Sequence, residues 1–150
     1  MQEMFRHYNK VHTLSMIMAG VNQEEEWVKY VQNNPQEFDI QLHGWEHEHY
    51  PVYTEEAVRN DLDRSLRLQE ELFGKRADTW YLPWNGWYPD IGTAKVPWLR
   101  PIAKEYGLKI NINCSHIGEF LDGKYNKVVY FHWWNKDDVD MLPQLLNYEK

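Results

Sequence analysis

Three histidines lie close together in one polar segment of the sequence: His43, His47 and His49. Histidines four residues apart share one face of a helical turn, and each neutral imidazole can bind a divalent ion through one nitrogen. The spacing of His43 and His47 therefore predicts that they hold one divalent metal ion. Solvated surface histidines also show this spacing. The position of the pair directly after the apolar residues 38–42 favours the metal site.

A zinc site with an open coordination position normally uses three protein ligands. Within this chain the candidates for the third ligand are Glu46, Glu48, His49 and Asp90, and their spacing does not choose among them. For Glu46 and Glu48 we expect solvent exposure, or hydrogen bonds that orient the histidines, rather than direct contact with the ion.

A second segment with chemical potential is Pro83-Trp-Asn-Gly-Trp87. Its proline and glycine preclude regular structure and predict a loop. In such a loop Gly86 allows close approach of the backbone, and Trp84 or Trp87 can stack on a sugar ring. The alternative is an aromatic turn that covers the hydrophobic core.

A third candidate is His132, at the end of the last predicted strand and directly before Trp133. A histidine in this position can exchange protons with a bound ligand, whereas a histidine among aromatic side chains is often a buried core residue. His116 is a further candidate for the same cleft, although a polar loop residue is the favoured interpretation there.

These residues must be positioned by alternating strands and helices. Strands are predicted at residues 11–19, 38–42, 79–82, 108–112 and 128–131, and helices at residues 1–10, 23–33, 54–74, 97–106 and 137–146. The alternation with short connections predicts an α/β fold with a parallel sheet. In such folds ligands bind at the carboxyl ends of the strands, where the three candidate segments fall.

Composition excludes several classes of protein. The chain has 16 Lys and Arg against 23 Asp and Glu, a formal charge of -7, and it has no basic run, so neither a nucleic-acid partner nor an anionic membrane surface is expected. No apolar stretch approaches the ~20 residues of a membrane span. With 150 residues and the single cysteine Cys114, we expect one domain, residues 1–150, without disulfides. The cellular location stays open.

In this order the motifs resemble the polysaccharide deacetylase family, also known as the NodB-homology domain or carbohydrate esterase family 4. The resemblance covers nearly the whole chain. It implies a distorted (β/α) barrel that binds one divalent metal ion, most commonly zinc, and removes acetyl groups from N-acetylated sugars or polysaccharide. A carbohydrate substrate is the partner that it implies.

The resemblance also implies roles for individual residues. His43 and His47 match the metal-ligating histidines, and His132 matches the histidine that protonates the leaving amine. The residues expected to contact substrate are Pro83, Trp84, Asn85, Gly86, Trp87 and Trp133. The sequence departs from the family in having Tyr81 and Leu82 before Pro83, where an arginine is usual.

A second departure concerns the family's opening strand with its two aspartates, which supply a general base and a metal ligand. Residues 1–10 align with the end of the first helix, so we expect a barrel that is incomplete at the N-terminus. We therefore expect weak or no deacetylase activity from residues 1–150 alone, and self-association through the open edge beside residues 11–19. The alternatives are a catalytically impaired carbohydrate-binding or structural derivative, and a metal-binding protein without sugar specificity if the tryptophans are buried.

Overall fold

The computed structural model describes residues 1–84, 96–111, 114–124 and 128–148. The chain forms two compact units, one made of Met1–His12 with Asn113–Lys150 and the other of Thr13–Ile112. The assignment of residues 1–150 to a single deacetylase-like domain stays a prediction.

The larger unit is built on a four-stranded sheet in the order β1-β2-β3-β4. Its strands are β1 (His12–Ile17), β2 (Phe38–Gly44), β3 (Thr79–Tyr81) and β4 (Lys109–Asn111). β2 is parallel to β3, with Leu42 opposite Trp80, and β3 is parallel to β4, with Tyr81 opposite Asn111. The predicted α/β class with parallel strands is confirmed.

Three helices of the larger unit lie within the ranges predicted from sequence. They are α2 (Glu26–Asn33), α3 (Glu55–Phe73) and α4 (Leu99–Glu105), with short 3-10 turns at Pro35–Glu37 and Tyr50–Val52. α3 begins where the Thr54 hydroxyl accepts a hydrogen bond from the Ala57 amide at 3.1 Å, and it ends at Gly74, whose φ of 66° is left-handed. A hydroxyl N-cap and a glycine after the last turn are usual helix ends, and they agree with the predicted range of residues 54–74.

The core of the larger unit lies between the sheet and these helices. Its fully buried side chains include Met18, Leu42, Tyr50, Val58, Leu62, Leu66, Trp80 and Leu99. Most of these residues are the apolar positions that define the predicted elements. The sheet is therefore held firmly where β2 and β3 end, which is where the candidate residues begin.

The smaller unit contains α1 (Gln2–His7), the parallel strands β5 (Cys114–His116) and β6 (Val128–Tyr130), and the helices α5 (Ile117–Leu121) and α6 (Lys136–Leu146). Its core is Phe5, Ile117, Leu142 and Leu146. β5 and α5 lie outside the predicted elements, because Cys-Ser-His lacks the apolar residues that indicate the other short strands and the five residues of α5 are too few to show a helical period. None of the helices in the described ranges is long and apolar enough to cross a membrane.

Candidate functional site

His43 and His47 lie next to each other at the end of β2. Their ring centres are 4.9 Å apart with planes at 61°. Two imidazoles that bind one ion through bonds of ~2.0–2.1 Å have ring centres roughly 5 Å apart. The predicted pairing of these two histidines is therefore present in the structure.

The tautomer of His43 also suits a metal ligand. Its Nδ1 lies 2.7 Å from the carbonyl oxygen of Tyr81, the last residue of β3. A carbonyl oxygen can only accept, so Nδ1 carries the proton and Nε2 carries the lone pair. A backbone carbonyl that orients a ligating histidine in this way is usual around protein-bound metals. These two residues fit a divalent cation.

The backbone that brings the histidines together differs from the predicted helical turn. His43 still belongs to β2, and His47 lies in an irregular loop with a left-handed φ of 65°. The reason is Gly44, whose φ of 133° turns the chain directly after His43. The two rings lie together, but the helical geometry predicted for them is wrong, and their role as metal ligands stays a prediction.

Glu48 holds this loop in shape from inside. Its side chain is only 3% exposed. One carboxylate oxygen accepts hydrogen bonds from the amides of Trp45 and Glu46 at 2.8 and 2.7 Å, and the other accepts from the Tyr50 hydroxyl at 2.8 Å. Glu46 is exposed as expected. The expectation of solvent exposure is wrong for Glu48, because the turned loop needs an internal acceptor for its amides.

The third metal ligand expected from sequence is not brought to the histidine pair by the residues described. Both oxygens of Glu48 are engaged within the loop, while Glu46 and His49 are exposed. In the described ranges, no third histidine, cysteine or carboxylate forms a three-ligand cluster with His43 and His47. Asp90 lies outside the described residues.

Trp84 connects the aromatic segment to the histidine loop. Its ring centre lies 5.0 Å from that of His47 and its side chain is 47% exposed, whereas the preceding Pro83 is buried. Its backbone is left-handed, with a φ of 61°. Of the other predicted contact residues in this segment, Asn85, Gly86 and Trp87 lie outside the described residues. An aromatic face therefore lies beside the candidate metal ligands.

The loop geometry predicts a large effect of Gly44→Ala. A Cβ at this position would lie 2.3 Å from Oε2 of Glu48 and 2.9 Å from the Tyr50 hydroxyl, and both groups are fixed by hydrogen bonds. We expect the free energy of unfolding, measured in urea, to fall by more than about 3 kcal/mol. Gly74→Ala is the matched control, since its φ is also positive but no atom lies within 4 Å. Equal losses in the two variants would contradict the role of the Glu48 contact.

Asp61 on α3 is a second buried carboxyl group near the loop. Burial, with a contribution from the Glu48 carboxylate, raises its pKa to about 6. Its Oδ1 lies 2.6 Å from the Arg64 guanidinium, which in turn lies 4.2 Å from the ring centre of Trp45. The loop that carries His47 therefore has two carboxyl groups, Glu48 and Asp61, and one cation, Arg64, beside it.

The raised pKa of Asp61 predicts how stability depends on pH. Between its ordinary pKa of 3.8 and about 6, the folded state binds more protons than the unfolded state. The contribution of this group is therefore present below about pH 4 and is lost as pH rises through 6. Asp61→Asn should remove this fall and raise the free energy of unfolding at pH 8 by about 1–3 kcal/mol. The exposed Asp63→Asn on the same helix is the control, and an unchanged slope in Asp61→Asn contradicts the assignment.

In the smaller unit, His116, His132 and Asp138 form a tight cluster. Oδ2 of Asp138 lies 2.9 Å from Nε2 of His116, 3.2 Å from Nδ1 of His132 and 2.8 Å from the His132 amide. Asp138 lies in the first turn of α6 and is 1% exposed. Burial raises its pKa, but the bonds from His132 and His116 outweigh burial and hold it below its usual value. Asp138 is therefore a buried carboxylate facing two imidazoles.

This arrangement gives His132 a defined orientation. With Nδ1 directed at the carboxylate, the opposite nitrogen, Nε2, is the one that can exchange a proton with a ligand. The ring centre of Trp134 lies 4.9 Å away, and Trp133 and Trp134 are 68% and 69% exposed. These two rings are therefore not buried in the core, and the contact role of Trp133 stays a prediction.

The sequence motifs do not single out Asp138, and they indicate His116 only as a secondary candidate for the cleft. The signal for Asp138 was present, because Asn135 caps a helix whose first turn follows His132 within a few residues. An acidic residue in that turn is directed towards the preceding strand end. For His116 the sequence favours a polar loop residue, because Cys-Ser-His has no apolar pattern that would indicate β5.

Comparison with known proteins identifies relatives. The family model for polysaccharide deacetylase matches residues 3–109. Comparison with curated protein sequences gives no match. Among solved structures, similar ones include a carbohydrate esterase family 4 pseudoenzyme from Bacillus anthracis, with a TM-score of 0.70 and 10% identity over 97% of this chain. This chain spans 52% of the length of that structure.

Two other solved structures are also similar to this chain. A family 4 carbohydrate esterase from Streptomyces lividans, in complex with acetate, has a TM-score of 0.64 and 13% identity, covering 97% of this chain and 77% of its own. A polysaccharide deacetylase from Bacillus cereus has a TM-score of 0.66 and 17% identity, covering 96% of this chain and 76% of its own. The likeness confirms the predicted fold, a (β/α) barrel of the NodB type. With more than half of its residues matched by the family model, the chain belongs to the polysaccharide deacetylase family.

Proposed function

We propose that this chain is the metal-dependent part of a hydrolase that removes acetyl groups from N-acetylated sugars or polysaccharide. The observation that carries the proposal is the His43–His47 pair, with Nδ1 of His43 held by the Tyr81 carbonyl and its lone pair on Nε2. Membership of the polysaccharide deacetylase family supports the substrate class.

His43 and His47 would hold one divalent ion, for which zinc suits two imidazole donors. When bound, such an ion lowers the pKa of a water and polarises the acetyl carbonyl. The protein's own contribution there is the rigid loop, in which Glu48 and Gly44 fix the position of His47 relative to β2.

His132 would supply the proton that the leaving amine needs. Its Nδ1 faces Asp138, so the proton would be donated from Nε2. The carboxylate of Asp138 stabilises the protonated ring before donation and keeps its orientation afterwards. The exposed Trp133 and Trp134 provide flat apolar faces on which a sugar ring can stack.

The test is acetate release from N-acetylglucosamine oligomers, measured with added zinc and again with a chelator. The assay uses residues 1–150 and the same residues extended upstream by a strand carrying an Asp-Asp pair. Acetate release by the extended form that requires zinc supports the proposal. No release by either form contradicts the enzymatic role, and equal release with chelator contradicts the metal.

A second candidate function is carbohydrate binding without catalysis. It is favoured by the exposed Trp133 and Trp134, and it is in keeping with the similarity to a pseudoenzyme of carbohydrate esterase family 4. In this case the acetylated oligomer would bind, but no acetate would be released at any zinc concentration.

Either function predicts a role for the exposed rings in binding. Adding an N-acetylglucosamine oligomer should quench tryptophan fluorescence, and Trp133→Ala should weaken binding by roughly 10-fold, the effect of losing about 1–1.5 kcal/mol of stacking. Trp27→Ala is the control, since Trp27 is also exposed but lies on α2 against Phe73. Unchanged affinity in Trp133→Ala would remove Trp133 from the binding surface.

A further inference from the structure

His116 takes part in both halves of a helix cap, and one of them fixes its ring. Its Nδ1 lies 3.3 Å from the Gly118 amide, and its own amide donates to the Glu119 carboxylate at 3.0 Å. An amide nitrogen can only donate, so Nδ1 of His116 must carry the lone pair. The ring proton of neutral His116 is therefore on Nε2.

That proton is directed at Asp138. Nε2 of His116 donates to Oδ2 at 2.9 Å, the same oxygen that accepts from the amide and from Nδ1 of His132. The ring centres of the two histidines are 5.8 Å apart. One carboxylate oxygen thus links a histidine of fixed tautomer to the histidine proposed as the acid.

We propose that His116 is a positioning residue that acts on His132 through Asp138, an inference that rests on the proposed acid role of His132. By donating to the shared oxygen, His116 fixes the rotamer of Asp138 and draws charge from the carboxylate. A carboxylate that shares its charge stabilises the protonated form of His132 less strongly. His132 then releases its proton to the leaving group more readily.

Among the described residues, three titratable groups lie next to His132: Asp138 on α6, His116 at the end of β5 and Tyr130 on β6. A fourth, Glu119 on α5, lies next to His116, whose amide it accepts from. Burial raises the pKa of Tyr130, so it stays a neutral phenol over the range where a histidine titrates. Among these four groups, His116 and Asp138 have polar side-chain atoms within hydrogen-bond distance of one another.

The same three side chains could instead hold a metal ion, since their ligand atoms lie within 4.8 Å of one another. That alternative requires the opposite tautomer. A His116 that binds a metal through Nε2 carries its proton on Nδ1, where it would oppose the Gly118 amide. The cap at Gly118 therefore favours the hydrogen-bonded arrangement.

Histidine ring ¹⁵N NMR of residues 1–150 tests this directly and needs no enzymatic activity. We expect His116 to show the Nε2–H tautomer, with its proton protected from exchange. In the His43→Ala/His47→Ala variant, one equivalent of zinc should leave the ring signals of His116 and His132 in place. An Nδ1–H tautomer, or displacement of both signals by stoichiometric zinc, overturns the proposal.

The effect on His132 is tested with His116→Ala, His116→Gln and Glu119→Ala. In His116→Ala we expect the ¹⁵N titration curve of His132, and the alkaline limb of the pH–rate profile, to move up by about half a pH unit or more. His116→Gln keeps an amide donor and should restore most of the wild-type behaviour. Glu119→Ala removes the other half of the cap but keeps the Asp138 contact, and should leave the curve unchanged.

These variants distinguish the positioning role of His116 from its role in the helix cap. A shift in Glu119→Ala equal to that in His116→Ala shows that only the cap matters and overturns the positioning role. An unchanged ¹⁵N titration curve of His132 in His116→Ala also overturns the positioning role. If residues 1–150 extended by the upstream Asp-Asp strand also release no acetate, the proposed function fails, while the ¹⁵N titration still decides whether His116 acts on His132.

Discussion

Replacing His132 with alanine is expected to lower kcat for acetate release by about 10²–10⁴-fold, the range that general acid–base assistance contributes. The amine is a poor leaving group unless it is protonated as it departs. Among the described residues, His132 combines a ring nitrogen held by a buried carboxylate with partial exposure and neighbouring exposed tryptophans. Steady-state acetate release from an N-acetylglucosamine oligomer measures the effect, with zinc supplied and the upstream Asp-Asp strand present.

The matched control for His132→Ala is His7→Ala, which removes an exposed histidine of α1 in the same unit. It should leave kcat within twofold of the wild type. Asp138→Asn should also lower kcat, because an amide cannot stabilise the protonated ring as a carboxylate does. A His132→Ala protein that is folded and retains full activity would show that another group protonates the amine.

The other large effect is expected on metal affinity. His43→Ala and His47→Ala should each weaken zinc binding by at least roughly 100-fold, because each removes a ligand, and loss of an outer hydrogen-bond partner alone costs 10–100-fold. Titration calorimetry in a buffer that binds zinc weakly measures this directly. Tyr81 contributes only its backbone carbonyl to His43, so Tyr81→Phe should retain the affinity.

Two further variants sharpen the metal experiment. His49→Ala, on the same loop, distinguishes a third ligand from an exposed bystander, since a loss as large as that of His47→Ala would add it to the ligand set. His7→Ala controls for general loss of histidines. If His43→Ala and His47→Ala bind zinc as tightly as the wild type, the pair is not the metal site. The main observation that supports the proposed hydrolytic function is then removed.

Much of the fold could be predicted from sequence because long elements carry repeated signals. α3 has a hydroxyl cap at Thr54, acidic residues in its first turn and Gly74 at its end, and each of these has a local physical cause. β5 and α5 have no comparable signal, because Cys-Ser-His contains no apolar run, and α5 is a five-residue helix that buries Ile117 in one cluster with Leu142.

The histidine pair of the candidate site could be singled out from sequence, and the residues that support it could not. His43 and His47 are conspicuous because histidines after an apolar strand need an explanation. Glu48 is not, since nothing in a run of alternating Glu and His indicates which carboxylate turns inward. Its burial follows from the turn at Gly44, which directs two loop amides at one point. Long-range partners such as Asp138 depend on tertiary structure that a linear pattern does not encode.

The internal acceptor Glu48 has a consequence for how an ion would enter. Since the amides of Trp45 and Glu46 are already bonded to this carboxylate, the loop is ordered before any ion arrives. Binding then restricts little more than the His43 and His47 side chains, so its conformational entropy cost is small and association needs no loop folding. Slow hydrogen exchange at these two amides, equal with and without zinc, is the signature of such a preorganised loop.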